Sequence, residues 1–256
     1  MLMPDMMMAA GVIAEPGQAE ILSSAGATQN YVIPAGVTEV CMVLVGGPGT
    51  SGNAGPVAVI SRPGADLLRT DATIGSNGVG GGNGGARGAN NGGYPQYDGN
   101  GGGGGAGGYG GNGGQGGQVG VNLATASQGG DGAGGGGGGG CGSYTYNSAF
   151  RTGQRGGPVG LRGQGANGSG GNLAVDGGGA VSAGWGLPGS NTGPLCGAGT
   201  ANQYGGNLRW RNTIPVTPGE TITVAFGTTG ANDANGHQAG ARIIWGSGRS
   251  YPSNAA

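Results

Sequence analysis

The chain contains no lysine: its ten basic residues are all arginine, set against eleven acidic ones, for a net charge of −1. Without lysine there is no Walker P-loop, no Schiff-base enzyme and no Ser–Lys dyad. A near-neutral chain has no electrostatic reason to bind DNA, RNA or an anionic membrane. The single histidine, His237, excludes a two-histidine metal site and an HExxH protease. Three cysteines, Cys41, Cys141 and Cys196, are too few for a secreted disulfide framework. They are also odd in number, so at least one is unpaired or bonded to another chain. No apolar run is long enough to span a bilayer. Residues 1–10 (MLMPDMMMAA) carry Pro4 and Asp5 without a basic region, and do not read as a signal peptide. The expectation is a soluble protein made in a cytoplasm, with no enzymatic chemistry, no cofactor and no metal.

What the chain has is glycine, 73 of 256 residues, several times the ordinary share of about 7%. Residues 80–206 hold 54 of them. Both flanks read as ordinary β structure. Tyr31-Val32-Ile33 leads through a Pro34-Ala35-Gly36 turn into Thr38–Val45, apolar on both faces as in a strand covered from two sides. A weaker run, Val57–Ile60, follows. On the far side Leu208, Trp210, Ile214 and Val216 alternate with Arg209, Arg211 and Thr213. Thr217-Pro218-Gly219-Glu220 has the type II turn preference. Ile222, Val224 and Phe226 then alternate with Thr221, Thr223 and Ala225, and Ala241–Trp245 closes the pattern. These are half-buried strands of period two. The one place a short helical turn is read is Ala65–Thr70.

The glycine block carries only ten branched aliphatics, too few for a conventional core. A flexible linker is one reading. The other rests on the GGX repeat over Gly107–Gln118, with a shorter copy at Gly81–Ala86. A period of three matches an extended left-handed helix of the polyproline II kind, with two ridges bare. Bare ridges let neighbouring helices bond sideways through their amides and carbonyls. The third ridge, Ala106, Tyr109, Asn112, Gln115 and Gln118, would lie on one exposed side. Collagen has one glycine per triplet and abundant proline, so it fits worse. The block also holds eight of the chain's thirteen aromatics, which linkers rarely carry.

The stretch YVIPAGVTEVCMVLVGG (31–47), the glycine tract and NLRWRNTIPVTPGETITVAFG (207–227) together resemble the glycine-rich domain of bacteriophage tail-fibre and tail-tip proteins. The ending GARIIWGSGRSYPSNAA (240–256) is similar to the terminus of many phage tail proteins. More distantly, the tract is similar to polyglycine adhesins at the tips of long tail fibres. The resemblance covers most of residues 29–256; residues 1–28 have no counterpart in it, and the adhesins' larger attachment domain is missing here. It implies a virion component, tail fibre or tail tip, whose loops between glycine runs bind a host-surface protein or glycan. Its partners would be other virion subunits and further copies of the chain. A head fibre or capsid decoration protein of the same domain type is the first alternative. A polyglycine surface- or ice-binding protein is the second, disfavoured by a ridge of Tyr, Asn and Gln.

The expected organisation is an N-terminal arm (1–28), strands of a β-sandwich-like base (29–79), a polyglycine II insert (80–206), and the closing strands and tail (207–256). Candidate receptor-binding residues are Tyr94, Tyr97, Tyr144, Tyr146, Phe150, Arg151 and Trp185. Segments such as Ser143–Arg151 mix Tyr, Ser, Asn and Arg as antibody paratopes do; the competing reading is that their aromatics cover the bundle or a neighbouring subunit. Met6, Met7 and Met8 are candidates for an attachment arm, since methionine adapts to irregular surfaces. GxGxxG matches lack the strand-before, helix-after context of a dinucleotide site. His237 lies in a polar loop with no nucleophile motif near it. Asp131, Asp233 and Asn235 lack calcium-loop spacing, and the acids are too scattered for a glycosidase pair. Cys141 and Cys196 could staple the block, although reduced thiols are the default in a cytoplasm; Cys41 reads as a small buried hydrophobe.

Overall fold

A computed structural model describes residues 14–23, 28–49, 57–89, 101–120, 127–146, 149–151, 153–175, 181–183, 189, 195–199, 201, 203–227, 239–253 and 255. Within them the chain is mainly β, in antiparallel sheets, and the single helical element is the 3-10 turn Ser76–Gly78. The strands in order are β1 (Gly17–Ser23), β2 (Thr28–Val32), β3 (Glu39–Val45), β4 (Val59–Arg62), β5 (Ala65–Arg69) and β6 (Val79–Gly82). Within the glycine block come β7 (Tyr144–Tyr146), β8 (Ala149–Arg151), β9 (Val159–Gly160), β10 (Leu173–Val175), β11 (Val181–Ala183) and β12 (Leu195–Cys196). The closing strands are β13 (Leu208–Pro215), β14 (Thr221–Ala225) and β15 (Ala239–Trp245).

Two larger sheets form from the flanks. One is five-stranded in the order β1-β15-β3-β13-β6, the other four-stranded in the order β2-β14-β4-β5. They share one apolar cluster that includes Met42, Leu44, Ala241 and Ile243 from the first and Ile60, Leu68, Ile222 and Val224 from the second. The alternation in β14 thus places Ile222, Val224 and, just beyond it, Phe226 inward. Gly219 takes φ +81° and Glu220 N donates to Thr217 O at 3.0 Å, the geometry that Pro-Gly prescribes for a type II turn.

Strand β3 is covered on both faces, as its sequence implies. Its other face, Cys41, Val43 and Val45, packs in a second cluster with Ala106, Tyr109, Val159, Leu161 and Cys196 of the glycine block. The five-stranded sheet therefore lies between the four-stranded sheet and the glycine segments.

In the glycine block the backbone does the packing. Along 102–107, successive amides reach different segments in a cycle of three. Gly102 and Gly105 donate to Gly117 and Gly114, Gly103 and Ala106 to Gln154 and Gly157, and Gly104 and Gly107 to Gln203 and Gly206. Carbonyls of the same stretch accept from Gly85, Gly88, Gly137, Gly140 and Gly199. Segment 101–108 thus has six hydrogen-bonded neighbours, and every residue of it is buried. Glycine is required there by space. A Cβ on Gly102 would lie 2.0 Å from Gly140 O and one on Gly105 2.0 Å from Gly137 O, far inside van der Waals contact, although neither residue has a left-handed φ.

Several expectations are corrected. Ala65–Arg69 is strand, because Pro63-Gly64, with Gly64 at φ +81°, turns the chain back so that Arg62 pairs with Ala65. The GGX repeat does not present one continuous exposed ridge. The chain reverses where Gly108 N donates to Gly111 O, so Asn112, Gln115 and Gln118 are exposed while Ala106 and Tyr109 are buried. Arg209 is not an outward residue of an alternating strand but is 4% exposed. The alternation is also broken between Arg211 and Ile214, where the register shifts and Thr213 takes φ +52°. Of the two readings of Cys141 and Cys196, the reduced one holds: all three cysteines are buried thiols, and those two form no staple.

Candidate recognition surface

The glycine segments run back and forth between two ends, and their hydrogen bonds place each end. The end nearest the sheets holds the reversals at Gly108–Gly111 and Ala133–Gly136, each closed by a backbone bond of 2.8 Å. Arg209 sits at this junction. Its guanidinium donates to Ala72 O, Gly82 O and Leu208 O, each at 2.8 Å, and to Asn83 Oδ1 at 2.6 Å, pinning the first glycine segment to β13. Tyr109 anchors the same end: its hydroxyl donates to Gly160 O at 3.0 Å and accepts from Gly163 N at 3.1 Å. Its ring stacks on Tyr251 at 5.7 Å, and burial holds its phenol well above the usual tyrosine range.

At the opposite end the chain repeatedly leaves and re-enters the bundle. Val119 N donates to Ala89 O, Gly120 N to Ser143 O, Ser127 N to Gln118 O, Gly142 N to Ser127 O, and Gln154 N to Cys141 O. Gly88 N bonds Gly102 O, and Gly102 N bonds Gly117 O. Residues 89, 101, 120, 127, 143 and 154 therefore belong to one end of the bundle, where the chain leaves after 89, 120 and 143 and returns at 101, 127 and 154.

Of the candidate residues, Tyr144, Tyr146, Phe150 and Arg151 belong to the hairpin β7–β8, in which Tyr144 pairs with Arg151, Thr145 with Phe150 and Tyr146 with Ala149. Tyr94, Tyr97 and Trp185 lie outside the described residues, as do Met6–Met8, His237, Asp233 and Asn235. The sequence reading missed a second hairpin, β10–β11, which pairs Leu173 with Ala183 and Val175 with Val181. It follows Gly171, whose amide bonds Gly139 O, and so climbs towards the same end. Its signal was present, Asp176-Gly177 between two short apolar runs. Asp131, weighed as a calcium ligand, accepts from Gly170 N at 2.7 Å and thereby joins two glycine segments.

The far end of the five-stranded sheet holds a cleft of about 450 Å³ lined by Gly36–Cys41, Ile244–Ser247, Arg249 and Ala14. Arg162 Nε donates to Glu20 Oε1 at 2.8 Å, and the buried Arg242 lies 3.4 Å from the same carboxylate and donates to Gln18. The hydrogen bond from Arg162 holds the Glu20 carboxyl below its ordinary range, against a smaller opposing effect of burial. Burial raises the Cys196 thiol to about 12, an inert side chain. Among the described residues no group of His, Cys, Asp and Glu could hold a metal ion, and no helix is long and apolar enough to cross a membrane. No protein-family model matches the chain, and no curated protein or solved structure does.

Proposed function

We propose that the chain is a structural protein of a bacteriophage virion, a tail-fibre or tail-tip component that presents loops to a host-surface protein or glycan. In this reading the two sheets are a sandwich-like base and the glycine block is a bundle of polyglycine II helices. The cycle of three in the amides of 102–107 supports the helices, since a threefold helix turns each successive N–H towards another neighbour. The observation that carries the function is the gathering of chain exits at the end of the bundle remote from the base. A core that needs no side chains leaves residue choice in those loops free for recognition. The candidates are Tyr94, Tyr97, Tyr144, Tyr146, Phe150, Arg151 and Trp185; tyrosine and tryptophan offer large, rigid contact area with few rotamers to freeze. Met6–Met8 would attach the base to another virion subunit, with further copies of the chain alongside.

The test is to label the C-terminus and image purified particles. A label at the tip of a tail or fibre supports the reading, whereas one on the head shell replaces it with a head fibre or decoration protein. Particles carrying Tyr144→Ala with Tyr146→Ala should assemble normally and lose adsorption. Unchanged adsorption would remove the β7–β8 hairpin from the recognition surface.

A further inference from the structure

Four strands bound the two large sheets: β1 and β6 in one, β2 and β5 in the other. Natural sheets guard such edges with charge, brevity or cover. Strand β5 carries Asp66 and Arg69, which pair with each other at 2.9 Å, and Arg69 also binds Asp71 at 2.8 Å. Strand β1 carries Glu20, gripped by Arg162 and Arg242. Strand β6 is four residues long and runs straight into the glycine segments. Strand β2, Thr28-Gln29-Asn30-Tyr31-Val32, has no charge, no proline and no bulge, and Val32 is 57% exposed.

Among the described residues no strand pairs with the outer edge of β2, and we propose that this edge pairs with β2 of a second copy of this chain, antiparallel about a two-fold axis at Asn30. The direction of its backbone groups supports this register. Ile33 N donates to Glu220 O and Ile33 O accepts from Gly219 N, both at 2.9 Å, so the polar groups of Ile33 face β14. By alternation those of Tyr31 and Gln29 also face β14, and those of Thr28, Asn30 and Val32 point outward. Pairing about Asn30 sets Asn30 against Asn30 and each Thr28 against Val32 of the partner. All three are positions whose outward N–H and C=O groups can bond, six hydrogen bonds in total. No charge meets a like charge, and Val32 gains a neighbour in the methyl group of Thr28. The result is one eight-stranded sheet running through both copies. The proposal stands whether or not the chain belongs to a virion.

The purified full chain tests it by sedimentation and by cysteine cross-linking, for which Cys41, Cys141 and Cys196 are buried and do not compete. The expected species is a dimer. Asn30→Pro leaves pairing with β14 intact, because the Asn30 amide faces outward, and it should weaken the dimer by about tenfold or more. Asn30→Cys should form a disulfide-linked dimer under mild oxidation, since paired Cα atoms lie about 5.5 Å apart. Thr28→Cys alone should not, because its two copies would lie about 13 Å apart. A mixture of Thr28→Cys and Val32→Cys chains should cross-link. A monomer at about 100 µM, where a Kd in the micromolar range would still give mostly dimer, overturns the proposal. So does a dimer indifferent to Asn30→Pro, or cross-linking of Thr28→Cys as fast as that of Asn30→Cys. Particle imaging and adsorption are separate measurements, so failure here is distinguishable from failure of the virion reading.

Discussion

Replacing Gly105 by alanine adds one methyl group to segment 101–108, which is buried along its whole length. The new Cβ would lie 2.0 Å from Gly137 O and 2.6 Å from Gly138 O, both rigid backbone atoms. Relief requires segments 101–108 and 136–143 to part by about 1 Å or more, to restore ordinary contact. The bonds joining those two segments, Gly137 N to Ala106 O and Gly140 N to Gly103 O, are both 2.9 Å long and would be stretched beyond hydrogen-bonding range. Each buried pair left unmade costs about 1–3 kcal/mol, so the expected destabilisation is about 2–6 kcal/mol. For a chain of this size that lowers Tm by roughly 5–20 °C. Gly130→Ala is the matched control. Gly130 also bonds through its backbone, to Gln115 O at 2.7 Å, yet the closest atoms to its Cβ would be Gln115 N and O at 3.4 and 3.6 Å. With no left-handed φ to oppose it, alanine there should stabilise by about 0.4–1 kcal/mol through the unfolded chain. Thermal and urea unfolding of the two variants decide the matter. If Gly105→Ala is as stable as Gly130→Ala, the segments are not packed backbone to backbone.

Tyr109→Phe removes one donor and one acceptor from a buried site and leaves Gly160 O and Gly163 N without their partner. It should lower stability by about 1–3 kcal/mol in urea titrations, with no change in secondary structure by circular dichroism. Arg209→Met keeps the buried aliphatic length and loses the donors to Ala72, Gly82, Leu208 and Asn83. A loss of about 2–4 kcal/mol is expected, and Arg209→Lys should rescue only part of it because an ammonium lacks the planar fork. The Glu20 carboxyl is depressed in the folded chain, so its contribution is fully present above the unfolded value of about 4.3. That contribution is lost as pH falls through the lower folded value. Wild-type stability should therefore decline below about pH 4, and Glu20→Gln should flatten that part of the profile.

The flanking strands were legible because their apolar residues repeat with a period that only a strand uses. Thr38–Val45 announced cover on both faces, and two different partners supply it. Turns with proline and glycine were legible for the same local reason at 34–36 and 217–220; at Pro63-Gly64 the same signal was passed over and Ala65–Arg69 was misread. Burial of Arg209 was not legible, since an arginine in an alternating strand looks solvated until Ala72 O, Gly82 O and Asn83 Oδ1 arrive from another part of the chain. The split of the GGX ridge at Tyr109 was hidden too. A repeat carries no mark of where it folds back, and the tyrosine is held by Gly160, Gly163 and Tyr251, all distant in sequence. Spacing could name aromatic loops but not show that their ends meet, because that depends on the segments' alternating directions.

Those directions follow from how the glycine block is stabilised. Side chains elsewhere set register by fitting into one another, but at Gly102, Gly105 and Gly82 there are none, and register is held by amide-to-carbonyl bonds repeating every three residues. A bond network of that kind does not distinguish Asn, Gln or Ala at the outward positions 86, 115 and 118, all of which are exposed, whereas Asn83 and Asn112 add side-chain acceptors for Arg209 and for Asn83 N. It does forbid any side chain at the inward ones. Substitution is thus confined to the outward ridges and to the stretches that join segment ends, while the few apolar anchors, Ala106, Tyr109, Val159, Leu161 and Cys196, lie where the block meets the sheet. Variation collected at the end remote from the sheet leaves both the bundle and its seat untouched. Under the proposed function, that separation lets a recognition surface change its target while keeping its mount.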